Sequence, residues 1–220
     1  MNFAKAESRF IKDDFIPGLL SYTAWMALSN RVVKSLSRRT MLGSLWLSLS
    51  ALLFVTALGF VYSEIFNSDV RTLLPYITVG YVVWLFISSV IVSSPTLFVQ
   101  YYPYIMQRNT PLTLIIFADI ISKVRIFFQQ SVAIIVVLLF FQISPNISYF
   151  IIPISLIVIV ATAFSVSMIL GILAVKYRDI NQLNSSLILL LFLLTPILWD
   201  PSIINRPVIF INLNPLYHFI

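Results

Sequence analysis

The chain has 220 residues, 60% of them apolar and only 10% charged, with a net charge of +6 and no cysteine. A soluble domain carries roughly 45–50% apolar and about 25% charged residues, so a soluble enzyme, a disordered chain and a fibrous chain are excluded in favour of a polytopic membrane protein. The absence of cysteine removes disulfides, thiolate zinc sites and cysteine nucleophiles.

Residues 1–41 read as a cytoplasmic N-terminal segment, too polar and too long for a signal peptide. Within it, residues 19–39 predict an amphipathic helix. Tyr22, Trp25, Leu28, Val32 and Leu36 share one side of a helical wheel, and Arg31, Lys34 and Arg38 lie opposite. A Trp-bearing apolar face with a basic back suits the anionic headgroup layer, packing on other protein being the alternative. Gly43 marks a break before the first span.

Residues 42–220 predict a transmembrane domain. Five uncharged apolar stretches, 42–63, 73–99, 126–141, 150–175 and 183–199, are each read as crossing a membrane, the third by recruiting flanking residues. In the fourth, 16 of 26 residues are Ile, Leu, Val or Phe, which gives an insertion free energy of about −5 to −10 kcal/mol. The runs lack the alternation of barrel strands, so the expected class is all-α and polytopic. Without a GxxxG, close glycine crossings between helices are not expected.

Residues 100–125 form the longest connection, an inner loop rich in Tyr and Pro in its first part. After Pro111 the spacing is helical, and Asp119 and Lys123 stand four apart, as a pair along a helix does. Continued to Phe141, that helix would be about 46 Å long, more than a bilayer needs, so a break or an oblique entry is expected. Lys176, Arg178 and Asp179 flank the next inner turn. Residues 200–220, with Pro201, Pro207 and Pro215, read as an apolar outer segment that folds back on the membrane. The chain reaches NPLYH after five spans, and a sixth returning inward is the expected continuation.

Lys and Arg set the orientation. With the N-terminus inside, the inner segments hold 12 of the 14 basic residues and the outer ones only Arg71 and Arg206.

Chemistry is sparse. There is no P-loop and no GxGxxG, and His218 is the only histidine. Serines in the spans, such as Ser88, Ser89, Ser93, Ser94 and Ser167, read as interhelical hydrogen-bonding groups, because no base adjoins them. No ionisable residue lies within the five stretches, which argues against ion coupling in this chain and for an energy source on another subunit. Tyr81, Trp84 and Phe86 sit near the middle of the second span. They read either as core packing or as the lining of a glycan path, where rings stack on sugar C–H faces and polar tips meet hydroxyls. Arg38 and Arg39 at the inner edge read as solvated flanking charge.

Four stretches together resemble a known family: RRTMLGSLWLSLSALLFVTALGFVYSEIF (38–66), PYITVGYVVWLFISS (75–89), YIMQRNTPL (104–112), and LGILAVKYRDINQLNSSLILLLFLLTPILW with NPLYH (170–199 and 214–218). They are similar to the permease subunit of ABC-2-type exporters of polysaccharide, O-antigen and teichoic acid. The resemblance implies a homodimer with six spans per chain in the bacterial inner membrane, joined to two copies of a cytoplasmic ABC ATP-binding subunit. It implies a lipid-linked glycan as substrate, whose diphosphate would be drawn to Arg38 and Arg39 at the inner edge, and no nucleic-acid partner. No cofactor is implied in this chain, ATP and Mg residing on the partner. It places a coupling helix at Met106–Pro111, with Gln107, Arg108, Asn109, Thr110 and Pro111 docking on the ATPase, and an outer gate at 200–220. A permease of the same superfamily for another lipid or a drug is the alternative, and a membrane-embedded polyprenyl-phosphate enzyme a weaker one.

Overall fold

In a computed structural model, residues 10–38, 41–108, 110–144, 151–199, 214 and 217 are described. Among them no strand occurs. A π-helical turn, Ile11–Phe15, leads into eight α-helices: α1 (Ile16–Leu20), α2 (Tyr22–Ser37), α3 (Leu45–Phe66), α4 (Val70–Gln100), α5 (Tyr102–Arg108), α6 (Leu112–Phe140), α7 (Ile152–Lys176) and α8 (Asp179–Leu194). Four of them, α3, α4, α6 and α7, are long and apolar enough to cross a membrane; α8 is a shorter apolar helix of 16 residues. All-α, multi-span architecture therefore follows from the hydropathy pattern.

Helix α4 is the axle of the bundle, packing on α3, α6, α7 and α8. Its start is fixed by Asp69, whose carboxylate accepts the Arg71 N–H at 2.9 Å. Just before it, α3 ends at Asn67 in the left-handed region (φ 50°), with the Asn67 N–H on the Ser63 carbonyl.

Pro95 lies inside α4 and has no N–H for the carbonyl of Ile91 four residues back. The side chain of Asn184, reaching across from α8, donates to that Ile91 carbonyl at 2.5 Å. In an apolar interior an unmet carbonyl costs free energy, so Asn184 both repairs α4 and ties α8 to it. Beside this bond, α7 presents a stripe of small buried residues, Ala163, Ser167, Gly171 and Ala174. The Ser94 hydroxyl donates to that of Ser167 at 3.0 Å. A Cβ on Gly171 would stand 2.7 Å from the Phe98 ring. Gly59 of α3 is equally close to Leu74, at 2.8 Å. The expectation of no close glycine crossings is thus overturned: single glycines set among Ala and Ser give the same close approach as GxxxG.

Of the two outcomes expected for the helix after Pro111, a break or an oblique entry, the break is absent. Helix α6 is continuous over 29 residues, about 43 Å. It therefore carries Asp119, Lys123 and Arg125 inside one long apolar helix, which corrects the reading that no ionisable residue lies within a span. The fifth stretch is shorter as a helix than its hydropathy implied. After Leu194 the chain turns, and Ile197 and Leu198 are buried in the core. Tyr76 of α4 donates to the Pro196 carbonyl at 2.8 Å, and Asn214 returns to donate to the Thr195 hydroxyl at 2.8 Å. Residues 200–213, with Pro201, Pro207 and Arg206, lie outside the described residues, as do Pro215 and His218.

Candidate functional site: a coupling end and a polar cleft

Two regions of the bundle combine polar groups with an arrangement that the apolar pattern does not explain. One is the end that carries α5 and the start of α6. The other is a cleft between α4 and α6.

At the first, Asp14 of the N-terminal turn caps a distant helix. Its carboxylate accepts the backbone N–H groups of Leu112, at 2.6 Å, and Thr113, at 3.3 Å. The Thr113 hydroxyl donates back to the Asp14 carbonyl at 2.7 Å. A carboxylate on the first N–H groups of α6 meets both the orphan donors and the positive end of the helix dipole. Gly18 of α1 lies so close to Thr113 that a Cβ there would stand 2.0 Å from its hydroxyl oxygen. Farther along, Arg125 of α6 donates to the Asn30 side-chain oxygen and to the Met26 sulfur of α2. The N-terminal segment is thus fastened to α6 at two points about 18 Å apart along the helix.

This fastening decides how α2 is placed. Leu28 and Ser29 are buried, Trp25 and Val32 are half-buried, and Tyr22, Arg31, Lys34, Leu36 and Arg38 are exposed. Its inner strip packs on α6. Arg39 lies outside the described residues, so the two candidate edge arginines are represented by Arg38 alone.

Of the expected docking residues, Gln107 and Arg108 close α5, and Thr110 and Pro111 bridge to α6; Asn109 lies outside the described residues. Pro111 holds the position just before α6 with φ −55° and ψ 135°. Asp14 thus grips the chain immediately after the segment 107–111.

In the second region the pairing of Asp119 with Lys123 was expected from their spacing, and the cleft around it was not. On α6, Asp119 and Lys123 form a salt bridge whose side chains are only 14% and 8% exposed. Lys123 also donates to the Ser93 hydroxyl of α4, and Ser93 in turn donates to Asp119 at 3.2 Å. A buried lysine without a partner carries a desolvation cost of several kcal/mol, and the carboxylate and hydroxyl together offset it. Tyr101, which follows α4, has its phenol held above its ordinary range, first by burial and then by the charge of Asp119. Around the ion pair lies a cleft of about 470 Å³, lined by Ser88, Ser89, Ser93, Ser122 and Gln130 as well as the pair, with Leu85, Phe86, Val92 and Ile126 between them and Val32 of α2 at one side. Sequence reasoning missed it because an i, i+4 pair looks the same on a solvated helix. The available signal was the spacing of Ser88, Ser89, Ser93 and Thr96, which puts hydroxyls on one face of α4.

The three aromatic candidates do not line one surface. Tyr81 is half-buried and stacks on Phe54 of α3, ring centroids 4.6 Å apart. Trp84 is buried against Phe192 of α8, and Phe86 is buried edge-on to Phe127 of α6. Trp84 fills the core of this chain, Phe86 is largely buried but borders the cleft between α4 and α6, and Tyr81 presents a partly open ring.

Residues 23–220 match the family model described as ABC-2 type transporter. The chain belongs to this family. A curated relative of the ABC-2 chain is the O-antigen export system permease protein RfbA of Klebsiella pneumoniae, 26% identical over 194 residues that cover 87% of this chain and 74% of that protein. Membership accounts for the apolar bundle and makes the ABC-2 chain a membrane-embedded transport subunit. Among the described residues, no group of His, Asp and Glu could hold a metal ion.

Proposed function

We propose that the chain is the permease subunit of an ATP-driven exporter that moves a lipid-linked polysaccharide, of O-antigen, capsule or teichoic-acid type, across the bacterial inner membrane. The observation that carries this reading is the family match over nearly the whole chain, joined to the similarity to an O-antigen export permease. Two copies pair in the membrane with their N-termini in the cytoplasm, and each docks a separate ATP-binding subunit, which supplies ATP and Mg. The docking segment is Gln107–Pro111. Movement there passes directly into α6, because Asp14 binds the first turn of that helix, and into α2 through Arg125. Arg38 and Arg39 attract the lipid diphosphate at the cytoplasmic edge. Of the aromatic candidates, Tyr81 has the half-open ring that suits a passing sugar, Phe86 borders the cleft between α4 and α6, and Trp84 holds the core beside them.

Deleting the gene tests the substrate. Surface glycan disappears from the cells under this reading, and a drug- or lipid-export phenotype with normal glycan rejects it in favour of another ABC-2 cargo. Arg108→Glu tests docking: the ATP-binding subunit that co-purifies with the wild-type chain is lost from the pull-down, whereas undiminished recovery rejects a docking role for Arg108.

A further inference from the structure

We infer that the cleft between α4 and α6 is a binding site for a neutral, polyhydroxylated group, the sugar nearest the lipid of the carried glycan. The inference rests on the glycan-export reading and adds a place and a chemistry to it. The volume of about 470 Å³ lies within the roughly 300–1,000 Å³ of small-molecule sites. The charge of the lining selects the ligand. Lys123 and Asp119 are paired, so the formal charge of the site is zero. A diphosphate entering it would have to take Lys123 away from Asp119 and would then face a buried carboxylate. A sugar hydroxyl meets both groups without separating them, donating to the carboxylate and accepting from the ammonium.

The serines are set for the same ligand. Ser88 and Ser89 donate their own protons to the Leu85 and Phe86 carbonyls, at 3.3 and 2.7 Å, which leaves their oxygen lone pairs to accept. The Gln130 amide offers both a donor and an acceptor. Leu85, Val92 and Ile126 supply apolar wall between these groups, as the C–H face of a pyranose requires. The site is also well placed. Ser93 is about 10 Å from the end of α4, and Lys123 about 16 Å from the start of α6. Both ends adjoin the segment 102–111, so a shift of α6 at its Asp14 cap alters the cleft directly.

The chain's lack of cysteine makes a direct test simple. Ser89→Cys is introduced into the chain, which is purified with its ATP-binding subunit in nanodiscs and alkylated with a small maleimide, the modification being read on this chain by mass spectrometry. Polyprenyl diphosphate bearing one hexose, added at roughly ten times its Kd, slows the reaction about tenfold, because only the empty fraction reacts. Polyprenyl diphosphate without sugar leaves the rate unchanged, and so does either lipid at Ser155→Cys on the exposed face of α7. An unaltered rate at Ser89→Cys with the hexose lipid overturns the site; equal slowing by the bare diphosphate overturns its sugar chemistry. In cells, Ser89→Trp fills the cleft while keeping the ion pair. Export then falls to background at normal membrane abundance; normal export by this variant overturns the site and leaves glycan export standing. If loss of the wild-type gene leaves surface glycan intact, the export reading itself has failed.

Discussion

Ser93 and Ser94 are neighbours on α4 and belong to opposite sides of the molecule. Ser93 joins Asp119 and Lys123 at an open cleft whose polar groups are set in a mainly apolar wall, whereas Ser94 bonds to Ser167 in a buried seam closed by Gly171 against Phe98 and by Asn184 on the Ile91 carbonyl. The α7–α8 side is built from small residues and short bonds that hold helices at one spacing. The α6 side keeps a charged pair under an open volume, an arrangement that costs desolvation and does not maximise packing. Close packing lies on one face of α4 and the open cleft on another.

The sharpest way to break this contrast is to unbalance the ion pair. Lys123→Met leaves Asp119 buried and uncompensated, and the chain loses about 3–5 kcal/mol of stability in a detergent unfolding titration. Adding Asp119→Leu removes the orphan charge and restores most of that loss, but not export. Recovery of both stability and export in the double variant would make the pair structural only. In the buried seam, Gly171→Val forces atoms against Phe98 and near the Ser94 carbonyl, and costs about 1–3 kcal/mol. Asn184→Ala strips the donor from the Ile91 carbonyl at Pro95, again about 1–3 kcal/mol in the same titration. Smallest is Ser167→Ala, about 0.6 kcal/mol, the usual size of an interhelical hydrogen bond in a membrane bundle. The seam variants lower stability and export together; the cleft variant Ser89→Trp lowers export alone.

The apolar rods were legible in the sequence, because 20 or so uncharged residues have few alternatives in lipid. So was the interhelical bonding of Ser93, Ser94 and Ser167, whereas Ser88 and Ser89 bond to carbonyls of their own helix. Other features were not, for reasons that lie in tertiary structure. Asp119 and Lys123 read correctly as a pair along a helix, but nothing local announces that α6 runs unbroken into the apolar stretch and buries them. Asn184 gave no sign that it serves Pro95, 89 positions earlier in the chain. The grip of Asp14 on Leu112 and Thr113 spans 98 and 99 positions, with no motif at either end. The aromatic residues divide on the same ground: all three look like lining by type and depth, yet Trp84 turns to Phe192 of α8 whereas Phe86 borders the cleft.

The central claim is that this chain forms the glycan passage and a separate ATPase drives it. Its most direct test is flux of a radiolabelled lipid-linked glycan into inverted vesicles containing the chain with the ATP-binding subunit that co-purifies with it. The account predicts ATP-dependent accumulation that vanishes when that subunit is omitted; accumulation that persists without it, or none with both present, would contradict the account.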